Sequence, residues 1–121
     1  LVIHHETKLL YITDSANHRI VAYDFNGELM HTFGTVGNKE GQLLYPYSII
    51  VLHDGTLLVA EFGNNRLQHF TQEGQTLGVW GMAGGSQGTF KTPWGVVQVE
   101  DGVLVIDTGN NRLQLLNGFM M

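Results

Sequence analysis

Hydrophobic residues fall in short runs separated by turn-forming clusters, and the middle of the chain shows this best. Thr56 to Ala60 is almost continuously apolar, as a strand reads when both faces of its sheet are covered. Arg66 to Phe70 alternates as Arg-Leu-Gln-His-Phe, the signature of a strand with two unlike faces. Between them Glu61-Phe62-Gly63-Asn64-Asn65 is a turn rich in residues that tolerate positive φ. Upstream, a run from Tyr47 to Leu52 follows Pro46, and His53-Asp54-Gly55 closes a tight hairpin. Downstream, Thr71 to Gly74 turns the chain into a fourth run, Thr76 to Trp80, which ends in Gly81. No ten-residue window carries a 3.6-residue apolar period, so the pattern predicts four successive strands and no helix.

This unit recurs. The stretch GTLLVAEFGNNRLQHF (Gly55 to Phe70) has a near-copy upstream, KLLYITDSANHRIVAY (Lys8 to Tyr23), and another downstream, GVLVIDTGNNRLQLL (Gly102 to Leu116). Arg19 to Arg66 and Pro46 to Pro93 are each 47 residues apart, and Arg66 to Arg112 is 46. Four antiparallel strands per repeat of this length predict an all-β fold of consecutive β-propeller blades. The expected blades are 1–34, with its opening strand cut short; 46–81; and 93–121, which stops after three strands at Leu116. Blades hide their faces against neighbours, and three cannot close a ring. We therefore expect a segment of a longer polypeptide, completed by further blades, rather than two chains closing one ring. One position departs from the repeat: Ala16 stands where the other copies have Gly63 and Gly109. If that site needs positive φ, Ala is strained by about 1 kcal/mol there; otherwise the turn has a different geometry.

The runs YITDSANHRIVAYD, LVAEFGNNRLQHF and LVIDTGNNRLQLL, with the linking stretches GELMHTFGTVGNKEGQLLYPYSIIV and QTLGVWGMAGGSQGTFKTPWGVVQV, resemble the NHL repeat over nearly the whole chain. The resemblance implies a six-bladed parent. It also implies one of several functions: a substrate- or RNA-recognition domain of a tripartite-motif ubiquitin ligase, a bacterial surface or sensor module, or an amidating lyase.

Strand direction locates a candidate surface. Antiparallel strands reverse, so every second connection lies on one rim. That rim carries the corners Ser15 to His18, Phe62 to Asn65 and Thr108 to Asn111, and the links Thr35 to Tyr45 and Met82 to Thr92. Tyr47 and Trp94 enter the innermost strands from it, with Tyr45 beside them. These aromatics either pack between blades or anchor a protein partner. The recurrent pairs Asp14/Arg19, Glu61/Arg66 and Asp107/Arg112 read first as a scaffold device, because they repeat in every copy; the alternative is an arginine ring greeting an anionic partner.

Charge and chemistry narrow the function. Six Lys and Arg stand against eleven Asp and Glu, a net charge of −5, which disfavours nucleic acid. The rim offers only Lys39, Lys91 and the three arginines to single-stranded RNA, offset by acids. Cysteine is absent, so there is neither a disulfide framework nor a thiolate metal site, and the compartment stays unknown. No apolar run reaches membrane-spanning length, and no membrane partner is expected. The lyases of the resembled family hold zinc with histidines, some directly after the blade-opening proline; here those slots are Tyr47 and Trp94. His4 and His5 are adjacent and would point to opposite faces of a strand. None of the three serines sits in a Gly-x-Ser-x-Gly elbow, and Gly84-Gly85-Ser86-Gln87-Gly88 lacks the Lys-Ser/Thr of a phosphate loop. The expectation is a non-catalytic recognition scaffold without metal or cofactor, most simply one that binds protein. An enzyme of the lyase type and an RNA binder are the alternatives.

Overall fold

A computed structural model describes residues 1–117. Thirteen strands run in chain order: β1 (Val2–His4), β2 (Leu9–Asp14), β3 (Arg19–Asp24), β4 (Leu29–Phe33), β5 (Thr35–Val36), β6 (Gln42–Leu43), β7 (Pro46–Val51), β8 (Leu57–Glu61), β9 (Arg66–Phe70), β10 (Thr76–Trp80), β11 (Gly95–Val99), β12 (Gly102–Asp107) and β13 (Arg112–Asn117). β1–β4 and β7–β10 form four-stranded antiparallel meanders and β11–β13 a three-stranded one. These sheets are consecutive propeller blades. Residues 118–121, included in the expected range 93–121, lie outside the described residues.

The blades stack face to face, and each junction has its own core. Tyr11, Ile20 and Ala22 of the first blade meet Ile49, Leu57, Val59 and Phe70 of the second. On the second blade's other face, Leu58, Ala60 and Leu67 meet Val96, Val103 and Val105 of the third. Sandwiched between two neighbours, every residue of β8 and β9 is buried, which accounts for the unbroken apolar run. Among the described residues the third blade is covered on one side, and Ile106, Leu113 and Leu115 on its other face are exposed.

Each link carries one apolar plug. Leu43 and Phe90, 47 residues apart, are buried in successive cores. The links also hold short parallel contacts that the alternation pattern did not predict, β5 with β6 and Ala83 with Phe90.

The corners settle the question raised by Ala16. Two of them are single 3₁₀ turns, Ser15–Asn17 and Thr108–Asn110. The left-handed residue is the one just before the arginine, His18 (φ 53°), Asn65 (54°) or Asn111 (54°). The glycine position is needed for space. A Cβ on Gly63 would lie 2.5 Å from Leu44 Cγ, and one on Gly109 2.6 Å from the Lys91 carbonyl. Ala16 is exposed, with no link packed over it, so its methyl fits.

Candidate functional site

Two constructions share the rim that carries the corners and links, one for holding the blades together and one exposed to solvent.

The first is built on the acid–arginine pairs. Glu61 is fully buried, and all its oxygen capacity is used. Oε1 accepts from the Leu44 N–H and from Asn64 Nδ2; Oε2 accepts from Arg66 Nε at 2.6 Å and from Gln68 Nε2. The Arg66 fork then donates to the carbonyls of Asn38, Lys39 and Gln42 in the incoming link. The third blade repeats the pattern. Arg112 binds Asp107 and the carbonyls of Gly85, Ser86 and Thr89, and Gln114 spans Asp107 and Thr89. Burial would raise the Asp107 pKa, but donors from the Lys91 N–H, Asn110, Arg112 and Gln114 outweigh it and hold the carboxyl below its usual range. In the first blade Arg19 pairs with Asp14 at 2.8 Å on the surface and, among the described residues, takes no link carbonyl. The two lysines on this rim lie on different links, Lys39 on the first and Lys91 on the second. Gln68 and Gln114 complete the clamp and were not among the expected residues, although their shared offset of two from the arginine is a sequence signal.

The second construction is aromatic. Tyr47 and Trp94 stack with centroids 4.6 Å apart and planes 11° from parallel. Tyr45 continues the stack on Tyr47 at 6.5 Å and 16°. Phe62 stands edge-on to both Tyr47 and Trp94, at 5.3 and 5.6 Å, and His18 stands edge-on to Tyr45 at 4.5 Å. The expected aromatics thus come together. Phe62 was missed because its counterparts are Ser15 and Thr108, so the repeat gives no aromatic signal there. Trp94 remains 51% exposed and Tyr45 42%, which makes this a surface platform.

Backbone strain positions it. Tyr45 (φ 47°) and Thr92 (φ 46°) are non-glycine residues in the left-handed region, each just before a proline. Such a residue costs about 1–2 kcal/mol. The return is a hydrogen bond to the preceding blade's corner: Tyr45 N–H donates to His18 Nδ1 at 2.9 Å, and Thr92 N–H to Asn65 Oδ1 at 2.8 Å. Ser15 Oγ adds a donor to the Pro46 carbonyl.

Residues 1–90 match the family described as SMP-30/Gluconolactonase/LRE-like region, whose members are six-bladed propellers. The chain belongs to this family. As an SMP-30/gluconolactonase/LRE-like chain it is also similar to Protein brain tumor of Drosophila melanogaster, an NHL-repeat protein, at 36% identity over 53 residues; the match covers 43% of this chain and 5% of the relative. The NHL resemblance is thereby supported from outside the chain. Among solved structures, an auxiliary nutrient binding protein from Bacteroides thetaiotaomicron superposes with a TM-score of 0.71 at 17% identity, over 92% of this chain and 35% of that one. Kuenenia stuttgartiensis hydrazine synthase superposes with a TM-score of 0.60 at 15% identity, over 95% and 33%. These two likenesses establish the fold alone. The chain spans about a third of each structure.

The family includes lactonases and non-enzymes, so the titratable clusters need weighing. The opposite rim holds a depression of 430 Å³ beside His4, His5, His53 and Asp54. His4 is spent on structure: Nδ1 accepts from the Thr7 N–H and Nε2 faces the Gly55 carbonyl. Among the described residues no three His, Asp or Glu are grouped to hold a metal ion. Asp54, Thr56 and His69 form a row, with the Thr56 hydroxyl donating to Asp54 and lying 2.6 Å from His69 Nε2. The hydroxyl has one proton, and the carboxylate takes it. His69 is then the donor, which is the reverse of what activating Thr56 as a nucleophile requires.

Proposed function

We propose that this chain is a non-catalytic recognition module that binds another protein through the Tyr45–Tyr47–Trp94 platform on its link-bearing rim. The observation that carries this reading is the exposed, pre-organised stack. Large aromatics with few rotatable bonds dominate binding energy when a partner desolvates them, and Phe62 and the strained prolyl entrances hold these in place. Strained backbone clusters at binding sites, and Tyr45 holds φ 47° at the edge of this platform.

Protein fits the rim better than RNA. Arg66 and Arg112 spend their guanidinium groups on link carbonyls, and Lys39 and Lys91 lie on separate links, which gives no continuous basic track for a phosphate backbone.

The test is capture by cross-linking from the cells that make the protein, comparing the wild type with the double variant Tyr47→Ala/Trp94→Ala. Loss of the captured proteins, with circular dichroism unchanged, is the expected result. Equal capture by a folded double variant would overturn the proposal.

A further inference from the structure

The junction between the second and third blades is hollow where the junction before it is filled. A depression of 630 Å³ lies between the corners at Asn65 and Asn110 and the link residues Ala83, Gly84, Gly85, Lys91 and Thr92. Its walls are two adjacent blades and the link that joins them, so no further blade is needed to bound it. One repeat back, two of these positions are unchanged and act alike: Asn64 Nδ2 donates to the Gly37 carbonyl as Asn110 Nδ2 does to the Gly84 carbonyl. The other five differ together. Where the first junction has His18, Val36, Asn38 and Tyr45, the second has Asn65, Ala83, Gly85 and Thr92, and Leu44 is replaced by Lys91. Four exchanges remove bulk and the fifth adds a positive charge. At the first junction the Tyr45 ring stands edge-on to His18 at 4.5 Å; at the second, Thr92 and Asn65 have no rings to meet there. A device that only held blades together would repeat here as the acid–arginine clamp does.

The lining offers donors. Asn65 Oδ1 accepts the Thr92 N–H at 2.8 Å, which fixes the amide and leaves its Nδ2 group without a partner among the described residues. The Thr92 hydroxyl and Lys91 Nζ are likewise unpartnered among the described residues, and Lys91 is exposed. The acceptors are mostly spent: the Gly84 carbonyl takes Asn110 and the Gly85 carbonyl takes Arg112, which leaves Asn110 Oδ1. The Asp107 carboxylate accepts the Lys91 N–H, but it is fully buried and Arg112 balances it. A cation without an ion pair, in a chain of net charge −5, stands beside two neutral donors. This set suits one singly charged carboxylate. A phosphate site draws on arginine forks or several cations, and here the Arg112 fork is spent on carbonyls. The depression also adjoins the aromatic platform: Thr92 lies two residues before Trp94, and Asn65 belongs to the corner whose Phe62 stands edge-on to Trp94.

We infer that this depression is a carboxylate subsite: the protein that covers the Tyr45–Tyr47–Trp94 platform presents an aspartate or glutamate side chain to Lys91 Nζ, Asn65 Nδ2 and the Thr92 hydroxyl. The aromatic stack supplies contact area and the subsite fixes the register of the partner on it, since a charge pair discriminates between partners more than it adds affinity. The inference deepens the platform reading and rests on it.

The probe is a random library of short linear peptides displayed on phage and panned on the whole chain, which presumes no spacing between the acid and the apolar group. The enriched peptides should combine an Asp or Glu with an aromatic or apolar residue at a constant separation. On Lys91→Leu, which installs the first junction's residue at an exposed position, the apolar enrichment should persist and the acidic one vanish, whereas Lys91→Arg should keep both. An enriched peptide resynthesised with the amide in place of its acid should bind the wild type about tenfold more weakly by calorimetry, the lower end for a hydrogen bond to a charged group. Acid and amide forms should bind Lys91→Leu alike. Acidic enrichment that survives Lys91→Leu would overturn the inference, as would binding that requires phosphoserine at the acid's place. Apolar sequences without an acid, or no enriched sequence, would also overturn it and leave the platform reading to the capture experiment. If Tyr47→Ala/Trp94→Ala enriches the same peptides as the wild type, the platform reading itself falls.

Discussion

Arg66 donates through Nε to the Glu61 carboxylate at 2.6 Å, with Arg66 10% and Glu61 0% exposed at the side chain. The pair spans one corner and fastens the link that enters beside it. Arg19 and Asp14 repeat the geometry at 2.8 Å but are 45% and 28% exposed. One sequence motif therefore occurs in a buried and an exposed setting, with different energetics. Removing one partner of a buried, fully hydrogen-bonded pair strands the other charge and costs about 3–5 kcal/mol, whereas an exposed pair contributes about 0–1 kcal/mol. Arg66→Ala should therefore lower unfolding stability severely or abolish folding, and Arg19→Ala should change it little. Urea denaturation of the two variants checks this. Equal losses would mean that the link carbonyls held by Arg66 add nothing.

The corner glycine gives an independent test. At Gly63 a Cβ would lie 2.5 Å from Leu44 Cγ and 2.9 Å from the Leu44 carbonyl, so Gly63→Ala forces the link away from the corner. The cost expected for such overpacking is about 1–3 kcal/mol. The reverse exchange at the exposed first corner, Ala16→Gly, should cost no more than about 1 kcal/mol, through added freedom of the unfolded chain. Thermal melts of both variants distinguish this steric account from a conformational one. If φ were the issue, Ala16→Gly would stabilise the protein.

The repeat made the blades, their order and the shared rim legible, because strand alternation and a 47-residue offset need no tertiary information. The acid–arginine pairs were legible for the same reason. Other features depend on contacts between repeats and leave weaker traces. The left-handed residue proved to be His18, Asn65 and Asn111 rather than the glycine position, since the need for glycine there comes from Leu44 and Lys91 on another segment. Phe62 joined the platform although its equivalents are not aromatic. Gln68 and Gln114 read as ordinary outward strand polars until the link folds over them.

Asn65 and Thr92 offer a test of the junction clasp. Asn65 holds φ 54° and accepts the Thr92 N–H at 2.8 Å. Asn65→Ala loses the acceptor and places Ala in the left-handed region, together about 2–5 kcal/mol. Asn65→Gly loses only the acceptor, about 1–3 kcal/mol for an N–H left unsatisfied. Hydrogen exchange at Thr92 should accelerate in both variants, while the glycine variant is the more stable. Unchanged protection at Thr92 would remove the clasp from the account of how the prolyl entrance is held.

His69 sets a pH dependence with a defined sign. It is 3% exposed and packs 5.8 Å from Trp80. Burial lowers its pKa below the ordinary imidazole value, and the Asp54 charge offsets this only in part. Between the folded value and the unfolded value near 6.5, the unfolded chain binds a proton that the native state does not, so stability falls as pH drops through that window. Asp54 acts in a separate one. Burial would raise it, but hydrogen bonds from Thr56 and the charge of His69 leave its pKa lowered, so its contribution is present above the ordinary carboxylate pKa and lost as pH falls below it. The urea midpoint should therefore drop from pH 7 to pH 5 in the wild type. In His69→Leu, which installs the residue that the third blade carries at Leu115, that drop should shrink, while the loss below pH 4 should remain. An unaltered slope between pH 7 and 5 in His69→Leu would assign the effect to one of the other five histidines.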